Sequence, residues 1–179
     1  MAETRDRLLD AATSVLLRDG AQALTLDAVA KQAGVSKGGL LYHFPAKQAL
    51  VAGMVTRLVE QFDAALDRAG TAPGAATRMY LAATVSREFT APGTPVDRVT
   101  AALLAAALVE PDALQPLRDV YRAWQKRLAH DGVDPAMATA VRLAVDGWWL
   151  ARLLDLEPPG PDLHERVFAV LSSLISPGR

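Results

Sequence analysis

The chain has 179 residues, and its 19 basic and 20 acidic side chains give a formal net charge of −1, which excludes a globally basic nucleic-acid-binding surface. Cysteine is absent, so disulfides, iron–sulfur clusters and thiolate zinc sites are excluded. The composition includes 34 alanines and 26 leucines but a single isoleucine, and it favours an all-α fold. No apolar run reaches the roughly 20 residues that span a bilayer, and the charged N-terminus is unlike a signal peptide. We therefore expect a cytoplasmic protein that makes no membrane contact.

Three short helices are predicted in the first fifty residues. A stripe of apolar side chains predicts the first of them. Thr25 can cap a second helix, which Gly34 ends, and Ser36 can cap a third helix that runs to about His43. Residues 25–42 therefore have the pattern of a helix-turn-helix unit, which presents its second helix to the major groove of DNA.

The rest of the chain is predicted to be helical as well. Pro45 is expected at the first position of a long fourth helix that continues to about residue 69. Stretches rich in proline and glycine then separate segments whose apolar residues recur at helical spacing, namely residues 75–90, 96–109, 112–130, 136–156 and 162–176. The sequence thus predicts about nine helices and no strand.

Residues suited to DNA binding gather around the third predicted helix. Three of the four lysines of the chain, Lys31, Lys37 and Lys47, lie close together in this part of the sequence. Gly38 and Gly39 each cost roughly 1 kcal/mol relative to alanine inside a helix. A helix that keeps two such residues is expected to need a bare surface for close approach to a partner such as DNA.

The same residues carry a resemblance to a known family. The segment at residues 34–50 reads GVSKGGLLYHFPAKQAL, and it is preceded by TLDAVA at residues 25–30. Both segments resemble the signature of the TetR family of bacterial transcriptional regulators. The resemblance implies a cytoplasmic homodimer that binds a double-stranded DNA operator. It also implies a DNA-binding domain at residues 1–46 and a helical domain at residues 47–179 that binds a small-molecule inducer and dimerises.

The resemblance further implies specific contacts with DNA. Major-groove contacts would come from the start of the third helix, at Ser36, Lys37, Gly38 and Gly39. Phosphate contacts would come from hydroxyl, imidazole and ammonium donors, at Thr25, Tyr42, His43 and Lys47. Lys37 is the expected reader of a guanine edge. The family usually has tyrosine at the position of Leu41, and we expect Tyr42 to take over the phosphate contact of that tyrosine.

Apolar and aromatic side chains of the later helices are candidates for an inducer site, because aromatic residues between helices line apolar ligand sites. The candidates are Phe62, Met79, Tyr121, Trp124 and Trp148. Asp146, close to Trp148 in sequence, is a candidate partner for a cationic ligand, so the expected inducer is small and hydrophobic or aromatic, with a positive charge as one option. The alternatives are ordinary core packing of the aromatic residues and, for Asp146, either an ion pair with a nearby arginine or a position at the surface.

The last two predicted helices are expected to form the dimer interface. The segment at residues 136–156 is apolar nearly all round, so one of its faces needs a partner outside the chain's own core. The segment at residues 162–176 has a similar apolar stripe. Two such helices from each protomer would form a symmetric four-helix contact.

An enzyme is the main rival class of protein. His43, His130 and His164 lie far apart in sequence, without the short spacing of common metal sites. The chain has neither a phosphate-binding glycine motif nor a nucleophile motif. We therefore expect no catalytic residue, metal or cofactor. The alternative function is an all-α small-molecule-binding protein without DNA-binding activity.

Overall fold

The computed structural model describes residues 2–85, 95–109 and 111–175 of the chain. Within these residues every regular element is helical, which confirms the all-α prediction. The described part contains nine α-helices, which are α1 (Ala2–Asp19), α2 (Leu26–Ala33), α3 (Lys37–His43), α4 (Lys47–Asp67), α5 (Ala75–Val85), α6 (Pro95–Val109), α7 (Gln115–Ala129), α8 (Pro135–Leu153) and α9 (Pro161–Leu174). Among the described residues, no helix is both long and apolar enough to span a membrane.

Local side-chain chemistry sets the limits of α2 and α3. The hydroxyl of Thr25 accepts a hydrogen bond from the backbone N–H of Ala28 at 3.2 Å, and the hydroxyl of Ser36 accepts one from Gly39 at 3.1 Å. Gly34 ends α2 with a φ of 67°, a left-handed conformation that glycine adopts without steric cost. These contacts confirm the predicted start of both helices and the predicted end of α2.

The prediction that Pro45 occupies the first position of the fourth helix is wrong. Pro45 lies in the bend before α4, which begins at Lys47. The carbonyl oxygen of Ala46 accepts a hydrogen bond from the N–H of Leu50 at 3.2 Å, so Ala46 caps the helix. The fixed φ of proline therefore directs the chain towards α4 from outside its first turn.

The later helices follow the predicted segments closely where the structure describes them. Pro135 and Pro161 begin α8 and α9, at the position that proline favours in a first helical turn. The predicted end of the fifth helix at residues 86–90 lies outside the described residues, as does the predicted loop at residues 91–95 except for Pro95, which begins α6.

Contacts divide the chain into two units, one of residues 1–59 with 95–119 and one of residues 60–94 with 120–179. In the first unit α1 packs against α2 and α6, and α2 packs against α3. Aliphatic side chains of all these helices and of α4 form its core, including Leu8, Leu9, Val15, Leu16, Val29, Leu40, Leu50, Val51, Met54, Val55 and Leu103. The predicted division of function at residue 46 stays a prediction.

In the second unit α5 packs against α8 and α9, which also contact each other. The turn between α7 and α8 is joined to the start of α5 by Asp131. Its carboxylate accepts hydrogen bonds from the backbone N–H groups of Ala76 and Thr77, at 3.1 and 2.7 Å, and from the hydroxyl of Thr77 at 2.8 Å. Asp131 therefore satisfies the free N–H groups at the start of a helix that lies far from it in sequence.

Candidate DNA interface and ligand site

Helix α3 is anchored by a single buried side chain. Leu40 is 0% exposed and belongs to the core of the first unit, whereas the other six residues of α3 are not buried. The residues predicted to face the major groove are all exposed, at Ser36, Lys37, Gly38 and Gly39. This arrangement leaves the outer face of α3 available for contact with another molecule.

The two glycines of α3 differ in their surroundings. A Cβ atom added at Gly38 would lie 4.0 Å from the hydroxyl oxygen of Ser36, which is ordinary contact. A Cβ atom added at Gly39 would lie 3.3 Å from the same oxygen, a tight contact with the atom that caps the helix. Crowding within the chain therefore gives a reason for glycine at position 39 and none at position 38. Close approach of a partner would give a reason for glycine at position 38.

Lys37 forms an ion pair with Asp27 of α2. Its nitrogen Nζ lies 3.0 and 3.1 Å from the two carboxylate oxygens. The side chains are 59% and 70% exposed, and an exposed pair of this kind contributes at most about 1 kcal/mol. Lys37 can therefore exchange this carboxylate for another acceptor at little cost in free energy.

The predicted phosphate donors lie at the ends of α2, α3 and α4. Tyr42 is 73% exposed, and its ring centroid lies 5.1 Å from that of His43. Lys47 is the first residue of α4. The Thr25 hydroxyl caps α2 as an acceptor and keeps its own proton for donation. Leu41 is partly exposed on the same helix as Tyr42 and offers no donor.

In the second unit, four aromatic side chains from three helices form one group, here called the aromatic cluster: Phe62 of α4, Tyr80 of α5, and Tyr121 and Trp124 of α7. The ring centroid of Trp124 lies 4.7 Å from that of Phe62, 5.9 Å from that of Tyr80 and 5.1 Å from that of Tyr121. Phe62 and Tyr80 are 5.2 Å apart. Because the rings contact one another directly, a ligand that binds among them has to separate them.

Asp146 of α8 is the hydrogen-bond acceptor that links this cluster to α8. Its oxygen Oδ1 accepts from the hydroxyl groups of Tyr80 at 2.5 Å and Tyr121 at 3.4 Å. Its oxygen Oδ2 accepts from the guanidinium of Arg142 at 2.7 Å, and Arg142 also donates to Gln125 at 2.6 Å. The alternative in which Asp146 pairs with a nearby arginine is therefore confirmed, and the arginine is Arg142.

Burial shifts the pKa values of the tyrosine hydroxyl groups and of the carboxylate in this network. Burial raises the pKa of Tyr121 to about 12 and raises the pKa of Tyr80 further, and the nearby Asp146 carboxylate adds to both shifts. Burial also raises the pKa of Asp146, while the hydrogen bond from Tyr80 and the charge of Arg142 oppose that shift. Both tyrosines therefore stay protonated around neutral pH and act as donors to Asp146.

Two family profiles match this chain. The profile described as "Bacterial regulatory proteins, tetR family" matches residues 8–54, which include α2 and α3. The profile described as "Tetracyclin repressor-like, C-terminal domain" matches residues 74–176, more than half of the chain. The chain belongs to the TetR family. The resemblance inferred from residues 25–50 is thereby confirmed.

Relatives of this TetR-family protein include regulators and ligand-binding proteins. The transcriptional repressor KstR of Mycolicibacterium smegmatis is 39% identical over 72 residues, which are 40% of this chain and 35% of KstR. This chain therefore matches about a third of the length of that curated relative.

Solved structures resemble the chain over nearly its whole length. The multidrug binding protein EbrR, solved with ethidium, is 26% identical with a TM-score of 0.73, over 97% of this chain and 99% of EbrR. EbrR has also been solved with malachite green. SCO1917 of Streptomyces coelicolor A3, a member of the TetR family, is 27% identical with a TM-score of 0.66, over 97% of this chain and 99% of its own.

The structure of this TetR-family protein brings together four of the predicted ligand-site residues, namely Phe62, Tyr121, Trp124 and Asp146. The ring of Trp148 instead contacts the ring of His164, with 4.5 Å between the centroids. Tyr80 was missed by the sequence analysis, which selected the adjacent Met79. Neighbouring residues on a helix point about 100° apart, and helical spacing alone does not tell which of the two faces α7.

One surface cavity of the second unit has no residue in common with this cluster. A surface cavity of about 360 Å³ has eight lining residues, Gly70, Thr71, Pro73, Ala76, Arg127, His130, Asp131 and Gly132, and none of them is a predicted ligand residue. Among the described residues, no group of three His, Asp or Glu side chains could hold a metal ion. The aromatic cluster with Asp146 is therefore the candidate ligand site.

Proposed function

We propose that this TetR-family protein is a transcriptional repressor that binds a palindromic operator as a homodimer and is released by a small-molecule inducer. The observation that carries the proposal is helix α3, which is anchored by Leu40 alone and directs Lys37 and a bare Gly38 outward. Residues 1–46 form the DNA-binding domain, and residues 47–179, whose first residue Lys47 also contacts DNA, form the domain that binds the inducer and dimerises. The protein acts in the cytoplasm, and the proposal includes no catalytic residue, metal or cofactor.

In the proposed complex α3 enters the major groove while α2 crosses the DNA backbone. Base contacts come from Ser36, Lys37, Gly38 and Gly39, and phosphate contacts come from Thr25, Tyr42, His43 and Lys47. Phosphate contacts supply affinity but carry no sequence information, so specificity depends on few side chains. Lys37 is the longest of them, and it leaves Asp27 to donate to the O6 and N7 atoms of a guanine.

Replacing Lys37 with alanine tests this assignment. We expect the variant to lose roughly 1–3 kcal/mol of binding free energy on the operator and much less on random DNA, because only the operator presents the guanine. The operator is first obtained by selecting genomic fragments that the wild-type protein binds. Affinities for the operator and for a scrambled duplex are then measured by fluorescence anisotropy at one salt concentration.

The matched control is Lys126→Ala, which removes the same charge from an exposed position on α7. We expect this variant to bind both duplexes as the wild-type protein does. Equal losses on operator and scrambled DNA in Lys37→Ala would make Lys37 a phosphate contact. Failure of the wild-type protein to select any fragment would favour the alternative function, a small-molecule-binding protein without DNA-binding activity.

The two apolar faces of α8 support the proposed dimer. One face packs inside the second unit through Ala138, Val141 and Val145. The opposite face of α8 exposes Leu143 at 57% and Leu150 at 42%, followed by Leu154 at 51% just after the helix. Helix α9 also exposes apolar side chains, Leu163 at 50% and Val170 at 60%. Exposed apolar side chains on two helices that contact each other suit an interaction site, and a second copy of the chain offers a matching surface.

Substitution of Leu143 by arginine is expected to weaken the dimer at least about tenfold, because the charge would be buried without a partner in the interface. Sedimentation velocity over a concentration series measures the dissociation constant. The control is Leu17→Arg on α1, where a leucine is also exposed but lies outside the proposed interface. A wild-type protein that stays monomeric at micromolar concentration would refute the dimer. Equal effects of both substitutions on the dissociation constant would mean that the dimer interface lies elsewhere.

For the inducer we propose a small hydrophobic or aromatic molecule that binds at the aromatic cluster. The cluster joins three helices, and Asp146 adds a carboxylate that suits a positive charge. The complexes of EbrR with ethidium and malachite green support an aromatic ligand of this kind. Phe62 lies on α4, the helix that begins with Lys47, so a ligand that displaces Phe62 acts on a helix that also contacts DNA.

A further inference from the structure

A positively charged side chain already lies where Asp146 would receive a cationic ligand. The guanidinium of Arg142 donates to Asp146 at 2.7 Å, and its carbon Cζ lies 6.0 Å from the centroid of the Tyr121 ring. The two side chains are only 15% and 23% exposed. A delocalised cation that contacts both a carboxylate and an aromatic ring makes the two interactions that an aromatic cation would make at this site.

We propose that Arg142 is a resident cation that competes with the inducer for Asp146, and that the site takes aromatic monocations able to replace its guanidinium. This inference rests on the proposed inducer site at the aromatic cluster. The inference specifies that the ligand carries one positive charge, and it assigns to Arg142 the role of setting the affinity for that ligand.

A cationic ligand has to replace the guanidinium of Arg142 at Asp146 rather than bind beside it. Both oxygens of Asp146 already accept hydrogen bonds, Oδ1 from Tyr80 and Tyr121 and Oδ2 from Arg142. A second cation beside Asp146 would lie close to the guanidinium, and repulsion between the two is weakly screened in a largely buried site. Arginine has a long side chain whose charged head can move to solvent while its stem stays on apolar surface.

The other carboxylate at the cluster has a different partner. Asp63 of α4 accepts a hydrogen bond from the indole N–H of Trp124 at 2.8 Å. Replacement of Arg142 leaves this contact in place. The charge of Asp63 is the same in the wild-type protein and in every variant described below, so a difference in cation affinity between them comes from the pair of Arg142 and Asp146.

The test compares a cationic and a neutral aromatic probe on purified full-length protein without DNA. Ethidium is the cation, and N-phenyl-1-naphthylamine is the neutral probe. We expect Arg142→Met to bind ethidium about tenfold more tightly than the wild-type protein, because the ligand no longer displaces a competitor, and to bind the neutral probe within about twofold. Fluorescence titration gives both dissociation constants.

Further variants separate competition from a simple opening of the site. Asp146→Asn is expected to bind ethidium about tenfold more weakly than the wild-type protein, and Arg142→Met is expected to give no gain in that background. Arg166→Met, at an exposed position on α9, removes the same charge and should leave both affinities unchanged. Circular dichroism checks that each variant is folded, and Arg142→Gln replaces Arg142→Met if the latter is not.

Three outcomes would overturn the inference: an Arg142→Met variant that binds ethidium no better than the wild-type protein, one that gains equally for both probes, and one that binds neither probe. Operator binding measured without ligand on the same samples keeps the proposed function separate. We expect wild type and Arg142→Met to bind the operator equally. If the wild-type protein selects no DNA fragment while Arg142→Met still binds ethidium more tightly than wild type, the proposed repressor function is overturned and the competition at Asp146 is kept.

Discussion

Replacing Leu40 with alanine is expected to lower the free energy of unfolding by about 2–5 kcal/mol. Leu40 is fully buried in the core of the first unit and is the one buried residue of α3. Helix α3 has seven residues, two of them glycine, so it has little intrinsic stability and depends on this contact. The expected loss is a large share of the roughly 5–15 kcal/mol that stabilises a typical domain.

The adjacent Leu41 provides the matched control. It is 37% exposed, so Leu41→Ala removes the same atoms from a partly solvated position and should cost less than about 1 kcal/mol. Chemical denaturation followed by circular dichroism measures both variants. Similar losses at the two positions would contradict the anchoring of α3 through Leu40. With that anchor removed, Leu40→Ala should also bind the operator more weakly than Leu41→Ala.

Replacing Gly38 with valine is expected to reduce operator affinity about 100-fold without destabilising the protein. The isolated chain has room for a Cβ atom at this exposed position, since such an atom meets nothing closer than the Ser36 hydroxyl oxygen at 4.0 Å. Valine also has a higher helix propensity than glycine, so the free energy of unfolding should stay equal or rise slightly. The loss of affinity would come from the branched side chain holding the α3 backbone away from DNA.

Fluorescence anisotropy on the selected operator and thermal denaturation measure the two effects of Gly38→Val. Ala123→Val, at an exposed position of α7, is the control for adding a β-branched side chain to a helix surface. A Gly38→Val variant with wild-type affinity would contradict close approach of DNA at this position. A variant that unfolds would instead mean that glycine is needed for the fold.

The sequence predicted the helix-turn-helix accurately because the interactions that define it are local. Thr25 and Ser36 cap their helices through N–H groups three residues away, and Gly34 ends α2 through its own backbone conformation. The prediction that Pro45 is the first residue of α4 was wrong. A proline one or two residues before a helix and a proline at its first position follow nearly the same pattern, and the hydrogen bond from Leu50 to Ala46 decides between them.

The candidate ligand site depends on contacts between residues far apart in the chain. Phe62, Tyr121 and Trp124 were predicted from their chemistry, yet Tyr80 was missed and Trp148 pairs with His164 instead. An arginine partner for Asp146 was one of the alternatives that the sequence left open, and the partner is Arg142, one helical turn away, which also donates to Gln125 of α7.

The all-α class, the limits of α2 and α3, and the family could all be predicted from the sequence, because they follow from composition and from side chains acting on their own neighbours. Tertiary packing was needed to show that Leu40 rather than Leu41 anchors α3, and that Tyr80 rather than Met79 joins Trp124. Each pair consists of adjacent residues on one helix, and the elements that pack against the helix choose between them.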